Sequence, residues 1–457
     1  MRKQSFSVSQ ITGGLKANLD PILITDKESP NLRAVRFDRG LVKKDLGARA
    51  FGTGALDGYV MFMDSFPMRL GSIHYLFATP EWVYRLKSDD TFEKKNSSTV
   101  KTGTVTVTNG SATVVGVLTA FTTELTAGDT ICFVTDYGVR YVIESIESNT
   151  ALTLTTIYGE VTTAGTTIYK VNPFIGDEEN PFSSVVTVDS AGDDIFILTN
   201  GVDPIMKWDG GGNFVPLVMG GLVDTTAKFI ISFKSRLILG WTTESGSYNP
   251  TRIRWSVAGD VEDFDITHTG AGVVELIDTP DWITGFCLFK DKLLIIKERS
   301  IWELVYVGGT KVFTPVRKID GVGAYVGQSV ISLGEQIVFL GSDNVYLYDT
   351  YSLQPIGDNV FPLLFEASTR IVNMAYASRI KAAYIEELEE YWLSIPTQGS
   401  IPDTVLKYNF SCKSWTLRKQ EVTAFGYYEI PTGDRWLDEV GNWTDWVGIW
   451  VEDKIAS

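Results

Sequence analysis

The 457-residue chain carries 56 acidic and 40 basic side chains, a net charge of −16, and 44% of its residues are hydrophobic. That charge argues against a nucleic-acid reader, whose affinity comes mainly from Lys and Arg neutralising phosphates, and the length exceeds the ~250–300 residues that one hydrophobic core usually serves. No run of about 18 apolar residues occurs and the opening MRKQSFSVSQITGG has no apolar core, so a soluble protein not exported by the usual route is expected.

Residues 1–50 differ from the rest. Two turn clusters, Asp20-Pro21 and Ser29-Pro30, precede two short strands, LRAVRFD and GLVKKDLGA, with charged residues interspersed. An extended arm lying on the body or on a neighbour fits this pattern; an entry strand that closes the first repeat fits it equally. Tyr59–Leu86 then reads as a candidate repeat of short strands.

The composition shifts sharply at residues 100–171, which are rich in Thr, Val and Ser. TVTVTNGSATVVG is a hairpin through Asn109-Gly110, and GDTICFV, VRYVIESIES, TALTLTT and TTIYKV supply further short strands. The segment reads as an inserted small β-barrel, either an outward platform for a partner or a solubilising decoration.

From Val185 the chain becomes repetitive. Val185–Leu217 gives strand, turn, IFILTN, turn, PIMKWDG, turn and FVPL. Ile230–Trp255 contains FKSRLILG, then a Gly/Asn/Pro turn and RIRWS. Gly285–Asn359 holds two copies of the same unit, opening with FKDKLLII in register with FKSRLILG, and Ala382–Leu417 supplies another. Runs of four to six apolar residues between two- or three-residue turns are the signature of antiparallel hairpins. A four-stranded unit cannot bury both faces alone, so radial repetition as propeller blades is predicted. Five units run from about residue 183 to 418, and Tyr59–Leu86 and Ala424–Val451 are candidates for a sixth and a seventh. The expected organisation is an arm over 1–50, a β-propeller over 51–99 and 172–457, and a barrel over 100–171. The 42 Gly and the Trp, Tyr and Phe that make up 12% of the chain suit such turns and broad, stacked strands.

Motifs that carry chemistry are sparse. The chain has no GxxxxGK[ST], HExxH, GxSxG, EF-hand loop or CxxC, so no catalytic, cofactor or metal residue is assigned. GVGAYVG at Gly321–Gly327 lacks the strand-then-helix context of a phosphate loop and reads as a glycine cluster between blades. Cys132, Cys287 and Cys412 lie far apart and read as small buried side chains of a reducing compartment. With only two histidines, His74 and His268, a His-rich zinc site or a local Ser-His-Asp triad is hard to build, although His268 in DITHTG could in principle serve one. The acidic clusters Asp193/Asp194, Asp260/Glu262/Asp263, Asp278/Asp281 and Glu386–Glu390 could supply the two carboxylates of a propeller glycosidase. Most sit in turns where Asp caps its own backbone, and EELEE also reads as a hairpin tip or edge guard. Trp436, Trp443, Trp446 and Trp450 suit strand burial, a subunit contact or sugar stacking.

The opening phrase GGLKANLDPILITDKESPNLRAVRFDRGLVKKDLGAR resembles the start of bacteriophage virion propellers, including the tail nozzle (tail tubular protein B) type of short-tailed phages. Gly13, Gly14, Leu15, Asp20, Pro21, Glu28, Ser29, Pro30, Phe37, Gly40, Lys43, Lys44 and Gly47 stand at the matching positions. The phrases at Phe233–Phe264 and Val338–Val360 are similar to that family too. The resemblance implies a non-enzymatic virion protein, made in the host cytoplasm and built into the phage tail as a self-assembled hexameric ring. Its partners would be neighbouring tail proteins, with genomic DNA passing through transiently and no membrane insertion. Nozzle chains are often longer, so an adaptor ring stays open as an alternative. A receptor-binding tail fibre or a propeller glycosidase are the rivals from other classes.

Overall fold

The computed structural model describes residues 13–25, 27–38, 41–45, 52–69, 71–96, 99–133, 139–171, 174–428 and 455–456. Strand accounts for 47% and helix for 7%, and six four-stranded sheets are arranged as a six-bladed β-propeller. The Ala424–Val451 candidate for a seventh blade falls almost wholly outside the described residues.

The hairpin turns explain why one phrase recurs. In blade 3, strands Thr225–Phe233 and Arg236–Glu244 are joined by Lys234 and Ser235, both with positive φ (52° and 59°). In blade 4, Ile283–Phe289 and Lys292–Lys297 are joined at Lys290-Asp291, and Lys290 again has positive φ (55°). Two-residue hairpins need this left-handed backbone because its twist matches that of the strands. FKSR and FKDK are therefore two-residue hairpin turns at the same place in successive blades.

The continuous apolar run LLII follows from burial on both faces. Leu293 and Ile295 pack towards blade 3, with Ile238, Ile253 and Trp302, whereas Leu294 and Ile296 pack towards blade 5, with Ile337 and Phe339. Side chains alternate across a strand, so each central strand feeds two inter-blade cores. The first strand of each blade lies beside the first strand of the next: Ser183 of blade 2 hydrogen-bonds Ile230 of blade 3, and Ser184 bonds Asp64 of blade 1. These first strands form the inner ring. Blade 1 begins with Phe62–Pro67 and Ile73–Ala78, blade 2 runs from Ser183–Val188 to Val215–Pro216, blade 5 from Ile331–Ser332 to Leu353–Pro355, and blade 6 from Lys381–Ile385 to Ser414–Lys419.

The opening segment is a latch on blade 6. Gly14–Leu15 pairs in parallel with Glu28–Ser29, and Asp20 caps the short turn Pro21–Leu23. The amide of Leu417, in the outermost strand of blade 6, donates to Leu32, and Leu417 in turn accepts from Ala34. Leu15, Leu32 and Phe37 are buried in one cluster with Leu340, Tyr391, Trp415 and Leu417, between blades 5 and 6. Asp45 reaches the buried Lys407 at 2.5 Å and Arg418 at 3.6 Å. A Cβ on Gly14 would stand 2.5 Å from Ser414, and the residue has φ +77°, so both space and conformation require glycine. The described part of the arm thus lies on the body of its own chain, and none of its described residues pairs in the sheet of blade 1.

A second compact unit comprises Glu81–Tyr84 and Glu93–Ile175. Its eight-stranded sheet, ordered from Thr163–Thr166 at one edge to Thr99–Val100 at the other, curls into a half-barrel. The edge strands do not pair with each other among the described residues, so the expected barrel is present in open form. Thr104–Val107 and Thr113–Val117 form the hairpin through Asn109-Gly110, with Gly110 at φ +80°. Val105, Val107 and Val114 point into a core with Phe121 and Leu152, while Val115, Val117 and Leu118 face outward.

Candidate functional site

Where the inner strands begin, the propeller surrounds a cavity of about 250 Å³. Its wall is assembled from links that lead into blades 2, 5 and 6 (Pro181, Tyr325–Gln328 and Ala377–Ser378) and from strands and loops of blades 3 and 4 (Lys228, Phe229, Trp241, Trp282, Thr284 and Glu298).

A break in blade 3 aims Trp241 into this wall. Pro250 lies inside strand Ser247–Trp255 and has no N–H for the ladder. Across it the register shifts: Gly240 pairs with Ile253 and Thr242 with Asn249, so the bulge lies at Pro250–Arg252 of this strand, opposite Trp241, which has φ +55°. The Gly/Asn/Pro turn expected here is thus part of a strand, and the hairpin turn is Ser245-Gly246, both with positive φ. A bulky residue in the left-handed region is strained, and bulges of this kind re-aim side chains beside functional sites. Trp241 meets Trp282 with ring centroids 6.4 Å apart at 57° and Phe229 at 6.5 Å, forming an aromatic corner. Lys228 Nζ sits 4.5 Å over the Trp241 ring. Burial lowers its pKa, opposed by the Glu179 carboxylate.

A second bulge opens on the same cavity. Ile283 pairs with Lys297 and Gly285 with Ile296, which leaves Thr284 out of register. Its hydroxyl donates to Ala324 at 3.0 Å. Gly327 passes so close that a Cβ there would stand 1.5 Å from the Thr284 carbonyl oxygen, and one on Gly323 would stand 2.1 Å from that of Lys297. The GVGAYVG cluster is where the link into blade 5 crosses the backbone of blade 4. The next residue, Gln328, donates its amide to Phe182 at 3.3 Å, while its Oε1 is buried without a hydrogen-bond partner. Below the rim, Arg379 binds Glu178 at 3.0 Å and Glu179 at 2.9 Å, and Ser378 also donates to Glu179. Burial pushes the nearby Tyr59 phenol up to about 12.

The acidic clusters named from the sequence are not brought together here. Asp194 pairs with Arg69 and Asp193 closes the turn with Asp189. Asp260 caps Glu262, Glu262 pairs with Lys207, and Asp263 holds His268 at 2.8 Å, which raises the imidazole pKa. Asp281 is buried against Lys297 at 2.8 Å and accepts from Ser300, while Asp278 is an exposed turn residue. Glu386–Leu388 forms the hairpin tip, but Glu390 turns inward and accepts from Trp392 at 2.8 Å. Burial raises the Glu390 pKa, partly offset by Lys407. Cys132 and Cys287 are buried, Cys412 is half-buried, and none of the three forms a disulfide among the described residues. Trp436, Trp443, Trp446 and Trp450, with Gly40 and Gly47 of the opening phrase, lie outside the described residues.

Glu298 is the one carboxylate among the described residues lining the cavity, so the wall presents no opposed acid pair of the kind glycoside hydrolysis requires. Among the described residues no group of three or more His, Cys, Asp or Glu could hold a metal ion, and no helix is long and apolar enough to cross a membrane. The mouth offers aromatic rings for stacking and the Glu298, Gln328 and Lys228 side chains for hydrogen bonding. No protein-family model matches the chain, and no curated protein matches it.

Proposed function

We propose that the protein is a structural component of a virion, a propeller that self-assembles as a ring in the tail of a short-tailed phage, in the nozzle through which the genome leaves. The observation that carries this is the use made of the opening phrase. Five of the residues through which it resembles phage tail propellers fasten the chain on itself: Gly13 and Gly14 let two chain segments close, Asp20 caps a turn, and Leu15 and Phe37 plug the seam between blades 5 and 6.

A mechanical part needs stiffness. Each blade is cross-linked by strand hydrogen bonds and shares a packed core with its neighbours, so deformation costs many contacts at once. The charge of −16 suits a wall past which phosphates slide without sticking. Neighbouring tail proteins are the expected partners, and the inserted half-barrel offers them a separate surface.

Mass photometry followed by negative-stain imaging of the purified chain tests the proposal. Closed rings, six copies in the expected case, with a central channel support it. A chain that stays monomeric at micromolar concentration, or that forms a trimeric spike, overturns it.

A further inference from the structure

We propose that the axial mouth binds a single sugar ring, stacked on Trp282 and held by Glu298, Gln328 and Lys228. This stands apart from the ring assembly: the site is complete within one chain, and either proposal can fail without the other.

Three observations converge. The first is the aromatic corner. Trp282 is a large apolar side chain left 48% exposed at the rim of a cavity, whereas Trp208 and Trp415 are wholly buried. Its face is open, while one face of Trp241 is covered by the Lys228 ammonium. A pyranose has the complementary shape, with a flat face of C–H groups for an indole and a rim of hydroxyls around it.

The second is the polar complement. Gln328 lines the cavity and leaves Oε1 buried without a hydrogen-bond partner, a condition that costs stability unless a ligand or water supplies the donor. Glu298 adds a carboxylate and Lys228 an ammonium. Hydroxyls both donate and accept, so one ring can satisfy two acceptors and one donor together. The volume of about 250 Å³ lies just under the ~300–1,000 Å³ of typical small-molecule sites, which fits one ring and not a chain of them.

The third is the backbone. Bulges opposite Trp241, at Pro250–Arg252, and at Thr284 of the adjacent blade flank the cavity, and the positive φ of Trp241 is a strain that the fold sustains where the ring is displayed.

Other ligand classes fit less well. A phosphate would face Glu298 and an acidic chain with one lysine against it. A purely apolar ligand would leave Gln328 and Lys228 unanswered, and a cation would meet the Lys228 ammonium already seated on Trp241.

Saturation-transfer NMR on the full chain, with glucose, galactose, mannose, N-acetylglucosamine and rhamnose each as probe, tests the inference. At least one sugar should show transfer, weakened roughly tenfold or more in affinity by Trp282→Ala and reduced by Glu298→Ala, with unchanged thermal unfolding. Tyr351→Ala, at a distant exposed aromatic, serves as control and should bind like the parent. Absence of transfer from all five sugars overturns the assignment. So does transfer that survives Trp282→Ala undiminished, or binding of tetramethylammonium where no sugar binds.

Discussion

The latch on blade 6 and the axial mouth are both built from distant parts of the chain, and both are rich in aromatic rings, yet they treat polar groups in opposite ways. At the latch, backbone meets backbone at Leu32, Ala34 and Leu417, and the buried Lys407 ammonium meets Asp45. At the mouth, an amide oxygen and an exposed indole face a cavity, and two strands are bulged around it. Burial with pairing accounts for the first as a fastening. At the second, the Gln328 amide oxygen stays unpaired and half of the Trp282 ring stays open, which a ligand in the cavity would cover.

Substitutions should separate the two regions, beginning with the largest effect. Phe37→Ala empties a fully packed position in the seam between blades 5 and 6 and should cost about 3–5 kcal/mol in urea unfolding. Asp45→Ala should cost about 2–3 kcal/mol, less than the ~3–5 of a buried charge left wholly alone, because the Glu390 carboxylate still acts on Lys407. An unchanged midpoint for either would break the idea of a fastening.

On the mouth side a lysine should behave in the reverse sense. Lys381, three residues beyond Ser378 in the cavity wall, is buried, and its ammonium has no hydrogen bond or ion pair among the described residues; burial pushes its pKa down to about 7. Between about pH 7 and the ordinary lysine value of ~10.4 the unfolded chain binds a proton that the native state lacks. Stability should therefore rise with pH across that window, and the penalty is fully present below it. Lys381→Met should stabilise the protein by roughly 2 kcal/mol at pH 7 and flatten the rise between pH 7 and 10; a destabilised variant with the same pH slope would contradict this. The smallest effect belongs to Lys290→Ala, whose exposed partner is Glu335, and the shift should stay within about 0.5 kcal/mol.

The sequence was legible where structure is local. FKSR and FKDK are both two-residue hairpin turns, Asn109-Gly110 is a hairpin, and LLII is buried on both faces, so the blades could be read off. The arm was legible as something other than a blade, but its seat was not, because Leu15 and Phe37 reach partners nearly 400 residues away in sequence, such as Trp415. The mouth was hidden for a related reason. Lys228, Trp241, Trp282, Glu298 and Gln328 share no motif and meet only because radial repetition brings the starts of successive blades together. Pro250 misled most: a proline beside Asn and Gly signals a turn, yet here it interrupts a ladder and turns Trp241 into the cavity. The barrel was read from its strands, but whether a sheet closes depends on edge pairing, which composition does not encode.

The account rests on the opening segment being a fastening and the mouth being a surface held in reserve. Urea unfolding of Phe37→Ala and Trp282→Ala, run side by side with the parent chain, tests this most directly. The prediction is a loss of about 3 kcal/mol or more for Phe37→Ala and less than about 1 kcal/mol for Trp282→Ala. Equal losses, or the larger loss at Trp282, would contradict it.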